Sequence, residues 1–366
     1  MKVSASKSAT SPSCKTLATI LPKMTTKEEI EKVHGQGTHV TLLGAGASFA
    51  STLRNPEKNG KRLPLMKNIV DIVDLNYLVD ELPKEYKILK EDFEKLYSKI
   101  ANDLELSEEK LIIEDKIYSY FNELDLPNEP TIYDYLILSL RHRKDIIATF
   151  NWDPFLYKAY LRNGEFVKSP GILFLHGCVS LGYDKSNGSS GPAGWSSKET
   201  LQKFEPTKLL YPVEKKDYNN DEYIKGQWDA LADKLKIAER VTVFGYSAPV
   251  SDVEAIDLLQ KAWGNVNERA MEEFELIDIR EENEVRKSWN AFIHSHHYHY
   301  CNNYYDSSLA LHPRRSVESY RHWALPLTPN DVFQDGNKVP EDFKSLEELW
   351  NWHKPLIQAE NDFFIK

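Results

Sequence analysis

The sequence predicts an α/β fold built on a doubly wound parallel sheet, and three features point to it. Short apolar, β-branched runs recur along the chain, stretches with helical spacing separate them, and each run ends in a glycine or a polar residue. A strand buried on both faces has no need of polar alternation, which is how parallel strands read.

The first such run is HVTLL at 39–43, followed directly by GAGASFASTL, where small residues permit a tight turn and a helix start. Residues 66–143 carry apolar positions at helical spacing and read as a helical insertion or small helical subdomain. A second strand, DIIATF, runs into NWDPFLYKAYL, where Asn151 or Asp153 suits a helix cap and Pro154 its first turn. The third, GILFLHG, ends at His176 and precedes a Gly/Ser-rich stretch, 182–197, read as a low-complexity loop able to act as a lid. RVTVFGYS and FELIDI complete the set, the latter ending near Asp278. Ligands bind such sheets at the carboxyl ends of the strands, which is where these polar residues fall.

Composition narrows the function. The formal net charge of -10 leaves no overall basic footprint, so nucleic acid is not the expected partner. No apolar run reaches the roughly 20 residues of a membrane span. Cys14, Cys178 and Cys301 are far apart and form no C-x-x-C pair, which argues against a disulfide framework or a four-cysteine zinc site and fits a reducing cytoplasm. Residues 1–23, rich in Ser, Thr and Lys and free of acidic residues, read as a loose tail.

Each motif alone has an ordinary reading. The G-x-G turn at Gly44 and Gly46 has Phe49 where a dinucleotide fingerprint has its third glycine, so a plain strand-to-helix turn stays open beside a phosphate cradle. Asn151 and Asp153 suit capping as well as a site, and His176 suits a structural hydrogen bond as well as proton transfer. In AFIHSHHYHYCNNYY, extended backbone puts His297, His299 and Cys301 on one face, with His294 and His296 nearby; a packed strand is favoured over a metal site because a fourth ligand is missing.

Taken in order, LLGAGAS, TFNWD, FLHG, VFGYS and LIDIR resemble the sirtuin family across most of residues 39–282. The resemblance implies a Rossmann-like NAD-binding domain at 26–285 with its helical insertion at about 66–143. A flexible tail at 1–25 precedes it, and a C-terminal extension at 286–366 packs on it. It implies that Gly44, Ala45, Gly46 and Ser48 cradle the pyrophosphate, that Asn151 and Asp153 line the nicotinamide-ribose pocket, and that His176 is the catalytic base. Gly245 and Ser247 resemble the family's turn near the ribose and phosphates, Asp278 stands where the adenine ribose is contacted, and Pro64 in RLPLM matches the segment over nicotinamide.

The cysteine pairs of the deacetylase zinc module are absent, and Phe150 and Trp152 depart from the deacetylase pattern. The nearer resemblance is to NAD-consuming sirtuin-like domains of bacterial antiphage defence proteins. It implies an NAD glycohydrolase with NAD as substrate and no metal, a homo-oligomer, and regulation by a partner such as a HerA-type ATPase or an Argonaute-like protein. A scaffold that senses NAD or ADP-ribose is the alternative, and protein deacylation a more distant one.

Overall fold

In the computed structural model the described residues are 37–364, apart from 199, 214–215, 217, 249–251, 270, 295–296 and 325–336. The tail expected at 1–25 lies outside them.

The centre is a six-stranded sheet in which every pairing is parallel. Its strands are β1 (Thr38–Leu43), β2 (Ile146–Thr149), β3 (Gly171–Phe174), β7 (Ala238–Phe244), β8 (Glu273–Ile277) and β9 (Tyr298–Cys301), after three shorter strands β4–β6 described below. Their order across the sheet is β3-β2-β1-β7-β8-β9. Counting only these six, that is 3-2-1-4-5-6, the order of a dinucleotide-binding sheet, with the topological switch between β1 and β7. The α/β doubly wound expectation is met. The sixth strand, β9, is the histidine-rich stretch, which the sequence favoured as a packed strand; it joins the sheet beside β8.

Helices cover both faces. They include α1 (Ala45–Ser51), α2 (Phe93–Ala101), α3 (Ser107–Asn122), α4 (Ile132–Ser139), α5 (Phe155–Asn163), α6 (Glu222–Lys236), α7 (Val253–Trp263), α8 (Glu282–Trp289), α9 (Ser316–Ala324) and α10 (Leu346–Phe364). On β1, Val40 and Leu42 join the core under α6, α7 and α8, while Leu43 joins the core that takes in α2, α3 and α4. Alternate residues of a strand point to opposite faces, so a strand covered on both sides reads as continuously apolar. The helices of 66–143 share the sheet's own core: Ile69, Phe93, Ile113 and Phe121 lie in one cluster with Leu43, Ile147 and Trp152. Among the described residues no helix is long and apolar enough to cross a membrane.

The Gly/Ser-rich stretch read as a loop is instead a paired hairpin. Strands β4 (Leu181–Asp184) and β5 (Ser189–Pro192) pair antiparallel, and β6 (Glu205–Pro206) adds to β4. Asp184 Oδ1 accepts from Ser186 N at 2.9 Å, and Gly188 takes a left-handed φ of +72°, so the turn residues make a hairpin turn between strands too polar to read as strands.

A buried polar chain crosses the sheet and ties the C-terminal region to it. His39 Nδ1 lies 2.6 Å from Ser316 Oγ and its Nε2 2.7 Å from Thr242 Oγ1; Thr242 donates to Glu275 Oε2 at 2.7 Å, and the Ser308 hydroxyl and amide donate to the same carboxylate at 2.9 and 2.8 Å. Burial pushes His39 down to about 3, so it is the neutral ring that takes part.

At the switch, the turns after β1 and β7 meet backbone to backbone. Gly44 N donates to the Phe244 carbonyl at 3.0 Å and Gly46 N to the Gly245 carbonyl at 2.9 Å. A β-carbon on Gly44 would come within 2.5 Å of the Gly245 oxygen. One on Gly245, itself at φ +61°, would come within 2.4 Å of the Ala47 nitrogen. Gly245→Ala combines left-handed backbone strain of about 1 kcal/mol with overpacking of about 1–3 kcal/mol. The unfolding free energy from urea titration is therefore expected to fall by about 2–4 kcal/mol at unchanged slope, and a value equal to wild type would refute the close contact.

Candidate active site

The site is assembled from strand ends. Leaving β2, Phe150 N donates to the Leu43 carbonyl at 3.0 Å, which holds the NWD turn beside the glycine turn of β1. Asp153 Oδ1 accepts from Phe155 N at 3.1 Å, but the N-cap of α5 is Pro154, so neither Asp153 as cap nor Pro154 in the first turn is realised. Asn151 does not cap. Its Nδ2 donates to the Gly44 carbonyl and to Ser48 Oγ, both at 2.8 Å, and lies 3.2 Å from Tyr133 Oη.

Ser48 gives its single hydroxyl proton to Asp153 Oδ2 at 2.6 Å, and its oxygen lies 2.7 Å from Tyr133 Oη. With that proton committed and the residue buried, the Ser48 hydroxyl orders Asn151 and Asp153 and has no proton to offer a phosphate. Asp153 is buried as well, and desolvation pushes its carboxyl up to about 6, with the Ser48 hydrogen bond pulling the other way.

His176 follows β3. Its Nε2 lies 3.2 Å from Tyr218 Oη, and its ring meets the edge of Phe150 at 5.0 Å. Phe150 in turn stacks on Tyr246 at 4.0 Å, so the aromatic that departs from the deacetylase pattern forms a wall of the site. Burial, and then the Lys216 ammonium, push His176 down to about 3, leaving a neutral imidazole at physiological pH. Tyr246 Oη donates to Asp252 Oδ2 at 2.7 Å, and Asp252 pairs with buried Lys216.

Gly44, Ala45, Ser48, Pro64, Asn151, Asp153, His176, Gly245 and Ser247 all line one cleft of about 160 Å³ at the carboxyl ends of β1, β2, β3 and β7. Two expected residues do not line it. Gly46 is packed against Gly245, where a β-carbon would lie 2.7 Å from the Gly245 α-carbon. The Asp278 carboxylate is taken by Arg280, through Nε at 2.9 Å and Nη2 at 2.6 Å. Sequence reasoning missed Tyr133, Lys216, Tyr246 and Asp252; Tyr246 lies within VFGYS, where only Gly245 and Ser247 were singled out, and Tyr133 reads as one more apolar position of a helix. A wider groove beside α2 shares Glu94 and Pro212 with the cleft but carries none of the expected residues.

In the histidine-rich stretch, ligand atoms of His299, Cys301 and Glu275 lie within 4.8 Å of one another. Glu275 already accepts from Ser308 and Thr242, and Arg240 Nη2 is 3.6 Å from its Oε1, which opposes a cation there. His297 points elsewhere, bonding Tyr320 Oη at 2.9 Å, and His294 reaches the Gly264 carbonyl at 3.2 Å; His296 lies outside the described residues.

No family model and no curated protein matches this chain. Among solved structures it is similar to a mutant Sir2 homologue in complex with ADP-ribose, with 14% identity and a TM-score of 0.36 over 84% of this chain and 100% of that one. A complex of a Sir2 homologue with NAD matches with 11% identity and a TM-score of 0.33, over 83% of this chain and 97% of that one. Superposition this loose transfers no residue's role.

Asp153 makes the site's stability depend on pH. Its folded pKa of about 6 exceeds the ordinary 3.8, so the folded state holds the proton more tightly; that stabilisation is full below about pH 4 and is lost as pH rises through 6. At pH 8 the buried carboxylate therefore costs up to about 3 kcal/mol. Asp153→Asn is expected to raise the denaturation midpoint above wild type at pH 8, with the gap closing by pH 4. A gap that does not change with pH would show that Asp153 is not buried as a raised-pKa acid.

Proposed function

We propose that this chain is an NAD glycohydrolase, cleaving NAD to nicotinamide and ADP-ribose. The observation that carries the reading is the orientation of Asn151. Its Nδ2 is bound inward by Gly44 and Ser48, and turning the amide round would set oxygen against the Gly44 carbonyl. Asn151 therefore offers the cleft an acceptor, Oδ1, and among the described residues nothing bonds it. Water donating to that oxygen keeps a lone pair free for an electron-poor carbon.

The dinucleotide lies extended, because about 160 Å³ is less than the roughly 300 Å³ of a complete small-molecule site. Its nicotinamide ribose enters the cleft and its pyrophosphate runs along the exposed backbone at Ala45 and Gly46. The bond from the anomeric carbon to nicotinamide breaks with its electron pair going to the ring nitrogen, which neutralises the pyridinium and leaves an oxocarbenium sugar. Water held by Asn151 adds to that carbon. The adduct is an oxonium, a strong acid, so even a base as weak as buried His176 accepts its proton and passes it to solvent. Asp153 holds Ser48, and through it Asn151, in register.

A cytoplasmic enzyme that destroys NAD must be held in check. The resemblance to antiphage defence proteins supports control through self-assembly or through a partner, such as a HerA-type ATPase. The burial of His176 behind Tyr218 favours a second reading, a scaffold that binds NAD or ADP-ribose without turnover.

Chromatography of NAD incubations separates the two. Nicotinamide and ADP-ribose are expected in equal amounts, with kcat down by about 100-fold or more in both Asn151→Ala and His176→Ala. NAD binding without product, with or without a partner, would leave the scaffold.

A further inference from the structure

We propose that Tyr133 is a positioning residue for this site, its hydroxyl setting the direction of the hydrogen bonds that order Ser48, Asn151 and Asp153. The proposal builds on the glycohydrolase reading, which does not itself require any residue of α4.

Tyr133 sits in the first turn of α4, a helix begun by a capping box between Thr131 and Asp134 and buried along almost its whole length. In so apolar a setting phenylalanine would pack equally well, and a buried phenol hydroxyl without partners is costly. Tyr133 spends its hydroxyl on two site residues, Ser48 Oγ at 2.7 Å and Asn151 Nδ2 at 3.2 Å.

Counting protons gives the bonds a direction. Ser48 has one, and Asp153 Oδ2 takes it at 2.6 Å. The Ser48 oxygen is therefore an acceptor toward Tyr133, whose own proton points to it, and the phenol oxygen is left to accept from Asn151. The chain runs from Asn151 to Tyr133 to Ser48 to Asp153. Each donor is polarised by the donor behind it, which strengthens the last bond to the carboxylate. The second amide hydrogen of Asn151 meets two acceptors, Ser48 and Tyr133, which pins the amide so that Oδ1 faces the cleft.

Tyr133→Phe removes only the hydroxyl. Asn151 loses one of the acceptors that pin it, and Ser48 becomes a weaker donor to Asp153, so the carboxyl of Asp153 is expected to hold its proton to a higher pH. Tyr135→Phe serves as control. It removes another buried hydroxyl from the same helix, on a ring that packs against Tyr304, Tyr305 and Phe343 and does not line the cleft.

The readout that stands apart from activity is the side-chain carboxyl resonance of Asp153, followed by carbon-13 NMR across pH in the full chain and assigned by its loss in Asp153→Asn. The midpoint is expected to move upward in Tyr133→Phe and to stay in place in Tyr135→Phe. In NAD hydrolysis, kcat is expected to fall about tenfold with KM within about twofold, and the acid limb of the rate profile to shift upward with the NMR midpoint.

An Asp153 midpoint that is unmoved in Tyr133→Phe, or moved equally in Tyr135→Phe, overturns the proposal whether or not NAD is cleaved. A midpoint shifted in Tyr133→Phe, with a wild-type chain that releases no nicotinamide, keeps Tyr133 as the organiser of the network and removes only the glycohydrolase reading.

Discussion

Two loops of backbone touch where β1 and β7 end, and the cleft depends on that contact. Gly44 and Gly46 approach Gly245 so closely that no side chain fits at any of the three positions. The approach starts α1 beside the end of β7 and carries Ser48 inward. It also leaves the Gly44 carbonyl, which α1 uses only through Ala47 N, able to accept from Asn151. A doubly wound sheet opens a crevice wherever its strand order reverses. Here the crevice is as narrow as two glycine turns make it, and it inherits polar side chains from β2 and β3 on one side and from the β7 turn on the other.

Within that crevice, polar groups are withdrawn from water and tied to one another. Asp153 and His176 are both buried, and burial moves them in opposite directions, the acid up and the imidazole down, so that each is pushed toward its neutral form. On the same cleft wall, Lys216 and Asp252 form a buried ion pair. The aromatic wall of Phe150 and Tyr246 continues the same environment and offers a ring face to a flat heterocycle.

Much of this was legible in the sequence because the informative features are local. HVTLL followed by GAG, DIIATF followed by NWD and FLHG each join a strand to what lies at its end, and a strand end in a parallel sheet is a place in space as well as in the chain. Asp278 shows the limit: its position at the end of β8 was readable, but the Arg280 fork that occupies its carboxylate comes from a turn with no signal of its own. Tyr133 was invisible for another reason. It belongs to the helix before β2, on an apolar stretch with no motif of its own, and only packing of α4 on α1 brings its hydroxyl to Ser48. The hairpin at 181–192 was hidden by composition, since serine and glycine pair into strands there only because a well-formed turn and β6 hold them.

The register of β1 carries one more consequence, for how the chain comes off the ribosome. Thr38 pairs with Ala238, so the central strand waits for a neighbour roughly 200 residues downstream, and His39 waits longer still for Ser316. At translation rates of about 5–20 residues per second, the apolar edge of β1 stays open for roughly 10–40 seconds after it is made. During that interval β2 can cover one edge only, and the switch-point crevice does not exist. The cleft is therefore among the last things this protein acquires, and a nascent or truncated chain lacking β7 does not have it.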